Sequence, residues 1–93
     1  MTIGILKLEI FIHESNSLKE KRMVLHSLKQ KLRNNFNVAV TQIDDEDKWQ
    51  KATLAVAGVE RDTKIMNSLL SKIIDFVEAF GNINLINHEM ELI

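Results

Sequence analysis

Lys19, Arg22, His26, Lys29 and Arg33 recur at three- and four-residue spacings, so on one helix they fall within an arc of about 80° at 3.6 residues per turn. A row of ammonium and guanidinium groups at that spacing can follow a phosphate backbone, where each neutralised phosphate releases condensed counterions. A solvated helix face is the ordinary fate of such a row. Here the segregation is sharp: six basic residues from Lys19 to Arg33 stand against one acid, Glu20, a balance of +5, while the rest of the chain carries −6. Lys19, Lys21, Arg22, His26, Lys29 and Arg33 are accordingly the candidates for RNA or anion contact. Lys21 stands apart, because its helical angle falls inside the apolar arc. It either snorkels past the helix end or is held there for a role.

Other constellations carry less. The free N–H groups of a helix starting near Ser17, with Lys19, Lys21 and Arg22 beside them, could receive a phosphate, but Ser15, Asn16 and Ser17 include no glycine to let a backbone nest close, so capping is the expected task. Asp44, Asp45, Glu46 and Asp47 form a run of carboxylates without the alternating ligands and glycine of a calcium loop. His13, His26 and His88 lie on separate elements, and with no cysteine in the chain neither a metal site nor a thiolate nucleophile is expected. No serine has the glycines of a nucleophile elbow. No catalytic residue, cofactor or metal is assigned.

The elements that must position these groups are legible from periodicity. Residues Ile3 to His13 alternate, with Leu6, Leu8, Ile10 and Ile12 on one face, as a half-buried strand does. Ser17 and Glu20 have capping-box spacing, and Leu18, Leu25, Leu28, Leu32 and Phe36 gather on one arc of a first helix that Asn34 and Asn35 end. Val38 to Ile43 and Trp49 to Val59 read as two strands of a hairpin joined by the acidic run. That run is expected to lie at a distance from any phosphate track. Asp62 or Thr63 caps a second helix with an unusually broad apolar stripe, which is either mostly buried or meets a partner. Gly81 is expected to stop it. Ile83 to Ile93 is a last strand whose apolar parity shifts between Leu85 and Ile86, predicting a bulge.

Strand-helix-strand-strand-helix-strand, without proline or repeat, predicts a single α+β domain over residues 1–93: a ferredoxin-like sandwich with an antiparallel sheet ordered 4-1-3-2 and both helices on one face. The second sheet face then has no helix of its own. Phe11, Ile43, Trp49, Ala55 and Ala57 are its interaction candidates. The stretch Ile3 to Ile12 is short and broken by Lys7 and Glu9, unlike a membrane span or signal peptide, so a cytoplasmic protein without membrane contact is expected.

The stretches Ser17-Leu18-Lys19-Glu20-Lys21-Arg22, Asn35-Phe36-Asn37-Val38 and Asp47-Lys48-Trp49-Gln50-Lys51-Ala52 resemble the YlxP-like family of small bacterial proteins over essentially the whole chain. The resemblance implies a ferredoxin-like fold and a function not yet assigned. Genes of that family often lie near those for a translation initiation factor and a ribosome-binding factor, which implies a part in ribosome assembly or translation. His13 and Glu14 stand where that family often has proline and glycine, so the loop before the first helix is expected to differ.

The leading expectation is a non-enzymatic protein that contacts RNA or ribosomal particles through the basic first helix. The alternative is an interaction module that forms a homodimer, or binds another protein, through the uncovered sheet face. An enzyme of acylphosphatase type shares the fold but needs a glycine-rich phosphate loop ending in arginine, which this sequence lacks.

Overall fold

Alternation along the first strand is complete. In β1 (Thr2–Ile12) every even-numbered residue is buried and every odd-numbered one from Ile3 to Phe11 is half-buried. The computed structural model describes residues 1–13, 16–45 and 48–93. The remaining elements are α1 (Leu18–Asn35), β2 (Ala39–Asp44), β3 (Lys51–Glu60), α2 (Thr63–Glu78) and β4 (Ile83–Leu92). They form one four-stranded antiparallel sheet in the order β2-β3-β1-β4. This is the ferredoxin-like arrangement expected from the sequence, with the apolar strand β1 in the interior.

The helices start where the sequence places them. Ser17 Oγ accepts from the Glu20 N–H at 3.2 Å, and Asp62 Oδ1 accepts from the Ile65 N–H at 2.8 Å, each satisfying an otherwise orphan donor of a first turn. Leu25, Leu28 and Leu32 of α1 and Met66, Leu70, Ile73 and Val77 of α2 turn inward onto Leu6, Leu8, Ile10, Leu54 and Val56 of the sheet. Each such side chain, fully removed from water, contributes about 1.5–3 kcal/mol. The approach is close enough at one point to require glycine: a Cβ on Gly4 would stand 2.3 Å from Met66 Sδ. The broad stripe of α2 is met within the molecule. Leu69, Phe76 and Phe80 are packed against the core, Phe76 lies edge-on to Phe36 at 5.7 Å, and the Lys31 ammonium sits 5.2 Å from the Phe80 ring centroid.

Three details depart from the sequence reading or extend it. Asn82, at φ 67°, adopts the left-handed conformation after α2, and Gly81 does not. Asparagine tolerates that region because its short polar side chain bonds locally. The predicted bulge is present: Glu9 pairs with Asn87 and Ile10 with Leu85, leaving Ile86 as the extra residue. A second one, unforeseen, leaves Ile43 between Gln42, which pairs with Leu54, and Asp44, which pairs with Thr53. Ile43 is 48 % exposed, near Ile5, Lys7 and Ala55 of the uncovered face.

Candidate functional site

The α1 helix runs without a break, so its basic residues keep the predicted arc. Lys19, Arg22, His26 and Arg33 are exposed and Lys29 is half-buried. From Lys19 to Arg33 the row extends about 21 Å at 1.5 Å per residue. The one acid of this segment is turned away from it in function: Glu20 Oε2 accepts the Asn16 N–H at 2.8 Å, in front of the helix. Arg33 has a second task. Its Nη2 donates to the Val40 carbonyl at 2.6 Å, tying the last turn of α1 to β2. A cation there also complements the negative end of the helix dipole.

Lys21 does not belong to the row. It is 1 % exposed, and its ammonium donates to the carbonyl oxygens of Asp45 and Lys48. A buried ammonium is tolerable only where hydrogen bonds replace its water, and backbone carbonyls of the β2–β3 connection do so here. Grouping Lys21 with the anion-binding candidates is therefore corrected: it points into the protein.

The same contact shows where the start of the acidic run lies. Of that run Glu46 and Asp47 lie outside the described residues, as does Ser15 in the polar loop before α1. The Asp45 carbonyl, however, is held against the first turn of α1 by the buried Lys21. Asp45 has φ 64° and is 9 % exposed. Its carboxylate accepts from Thr53 Oγ1 at 2.9 Å and lies 3.0 Å from Lys48 Nζ and 3.8 Å from Lys51 Nζ. The hydrogen bond from Lys48 holds the Asp45 pKa below its ordinary value. Burial opposes it, and the Thr53 hydroxyl and the charges of Lys48 and Lys51 act in the same direction as Lys48's bond.

On the uncovered face, Phe11, Ala55 and Ala57 take the expected side of β1 and β3, and a shallow recess of about 310 Å³ is lined by Ile5, Ala39, Val40, Thr41, Ala55, Val56 and Ala57. Lys7 sits between Ala55 and Glu89 in register. Trp49 is not a strand residue. β3 begins at Lys51, and Trp49 stands in the connection, 56 % exposed. Sequence reasoning did not identify a larger groove of about 650 Å³ between the helices, lined in part by Met23, Val24, Ser27, Lys31, Phe76 and Phe80. Its only sequence signal is Met23 beside Val24 on the flank of α1. Among the described residues no three histidine or acidic side chains converge as a metal site would require. Among the described residues no helix is long and apolar enough to cross a membrane.

Fold and surface define an α+β sandwich of ferredoxin-like type with one basic helix and one bare sheet face. The chain belongs to the family described as "Protein of unknown function (DUF503)", whose model matches residues 3–90. It is 32% identical over 81 residues to the uncharacterised protein YlxP of Bacillus subtilis (strain 168), covering 87% of this chain and 88% of that one. Two solved structures share the fold. A mutant of SnoaB, a cofactor-independent oxygenase from Streptomyces nogalater, aligns with a TM-score of 0.50 at 13% identity over 99% of this chain and 90% of its own. The de novo designed protein Foldit4 aligns with a TM-score of 0.50 at 12% identity over 100% and 94%. An oxygenase and a designed protein on one fold illustrate that the fold carries no activity by itself.

Proposed function

We propose that this protein is a non-enzymatic factor that binds RNA or a ribosomal particle through α1, with Lys19, Arg22, Lys29 and Arg33 contacting phosphates. The observation that carries this reading is the outward row of cations on α1, whose one acid is engaged at the helix cap. Contact with about four phosphates of a single strand gives a slope of log affinity against log salt near −3, so affinity should fall about fifty-fold between 50 and 200 mM salt. Filter binding or anisotropy with a ribosomal RNA fragment measures it. Replacing Lys19 and Arg22 together with glutamate should lower both affinity and slope. The fold should survive, since both side chains are exposed and acids near a helix N-terminus are favoured by its dipole. Arg33 is unsuitable for this test because of its bond to Val40. Failure of the wild type to bind RNA or ribosomal particles at the lower salt, or equal binding by the double variant, refutes the reading.

The recess on the uncovered face favours a second reading, in which the protein pairs with a second copy through Ile5, Phe11, Ile43, Ala55 and Ala57. Such a contact should bury at least about 1,000 Å² in total. Light scattering at high micromolar concentration should then give twice the 10.7 kDa of one chain; the mass of a single chain removes this reading.

A further inference from the structure

The two most distinctive stretches of the sequence, Ser17 to Arg22 and Lys48 to Ala52, meet at one end of the molecule. Lys21 binds the Lys48 carbonyl, and the Ile12 N–H donates to the Gln50 carbonyl at 2.8 Å. Trp49 is thus bracketed: the residue before it is anchored to α1 and the residue after it to β1. Its backbone is fixed while its indole stands 56 % exposed. Two further rings lie where β1 ends. Phe11 and His13 meet edge-on with ring centroids 5.1 Å apart, and Phe11 pairs with Lys51. The Ile12 to Gln50 hydrogen bond lies next to that pair, and Trp49 precedes Gln50 in the connection. The anchored segment also joins the sheet end to the start of the cation row, because Lys21 is followed by the exposed Arg22.

Exposed rings beside a track of cations are the two components by which proteins hold single-stranded nucleic acid: bases stack on the rings while phosphates follow the charge. We infer that this end of the open face is a stacking platform for unpaired bases of single-stranded RNA, with Trp49 as the principal ring and Phe11 and His13 beside it. The inference rests on the reading of α1 as a phosphate track and adds the part of the ligand that track cannot recognise. Lys48 and Lys51 are partnered by Asp45, so the phosphates are assigned to Lys19 and Arg22.

Trp49 is the chain's one tryptophan, so its emission reports on this place alone. A fluorescein-labelled oligouridylate titrated at about 50 mM salt gives binding by anisotropy, and an unlabelled one in parallel gives the change in tryptophan emission. Emission should be quenched with the midpoint seen by anisotropy. Trp49→Ala should weaken binding about 5- to 150-fold if one base stacks there, and Trp49→Phe should keep most of the affinity. The salt slope should stay unchanged in both, because stacking releases no counterions. Binding that leaves emission unmoved and is equal in Trp49→Ala overturns the platform while the α1 reading stands. No anisotropy change overturns both. Emission that shifts on concentrating the protein alone, and not on adding RNA, places Trp49 in a protein contact and overturns the platform.

Discussion

Leu28→Ala should cost about 2–5 kcal/mol of stability, the range for opening a cavity in a core that relaxes only in part. Leu28 is fully buried, on the α1 face that packs onto the sheet, with Leu25 and Leu32 one turn away on either side. Because the neighbouring elements are a continuous helix and the interior of a sheet, neither can move inward to fill the space. Urea denaturation should show a lower midpoint with an unchanged slope, since the surface exposed on unfolding hardly differs. Met23→Ala provides the contrast: on the same helix but 64 % exposed, it should stay within about 0.5 kcal/mol of wild type. A Leu28→Ala midpoint equal to that of Met23→Ala would contradict the packing described.

Lys21→Met is expected to have the next largest effect. Methionine matches much of the stem and lacks the ammonium, so the Lys48 carbonyl loses this donor and the Asp45 carbonyl is left with the Lys48 N–H at 3.3 Å. Weaker hydrogen bonding at these two acceptors, one buried and one part-buried, costs about 1–3 kcal/mol in all. Relief of the buried charge's own desolvation offsets part of that, leaving a net loss of about 1–2 kcal/mol. Unlike Leu28→Ala, this change should loosen one region first: hydrogen exchange at Lys48 and Ile12, whose N–H groups bond to the Asp45 and Gln50 carbonyls, should quicken more than at Leu54 or Val56. Uniform acceleration would mean that Lys21 serves only the core.

Acid should act on the same connection through Asp45. Its folded pKa lies below the ordinary 3.8, so its contribution is complete above the unfolded value and is lost as pH falls through the folded one. Loosening of residues 48–50 belongs below about pH 4.

Much of the fold is legible in the sequence because its determinants lie close together along the chain. Period two in β1, the apolar arc of α1, the caps at Ser17 and Asp62 and the parity shift at Ile86 are each written in neighbouring residues, and together they leave few topologies. What stays hidden depends on partners without side-chain identity. Lys21 is held by backbone carbonyls 24 and 27 residues away, and a carbonyl looks the same at every position in a sequence. Only the misfit of a lysine within an apolar arc points to it. Trp49 reads as a strand residue because aromatic groups favour strands. Asp45 is in a left-handed conformation and the strand begins only at Lys51. Charges can be counted along a sequence but not placed in space, and the acidic run therefore reads as a feature remote from the cations. In the structure the Asp45 carbonyl is tied to α1 through Lys21 and its carboxylate is buried against Lys48, Lys51 and Thr53.

The central place of β1 also bears on how the chain folds. Its two neighbours are β3, beginning at Lys51, and β4, beginning at Ile83, so every ladder it forms closes a long loop. Such non-local pairing slows folding relative to a helical bundle of similar size. Until residues beyond Ile83 have joined the sheet, β1 keeps one edge bare, and that edge belongs to the strand richest in large aliphatic side chains. An unpaired apolar edge is a template for other chains. The interval between formation of the β1–β3 ladder and arrival of β4 is thus when this protein is most exposed to misassembly, and variants that delay β4 should reveal it as aggregation during refolding and not as a change in the native state.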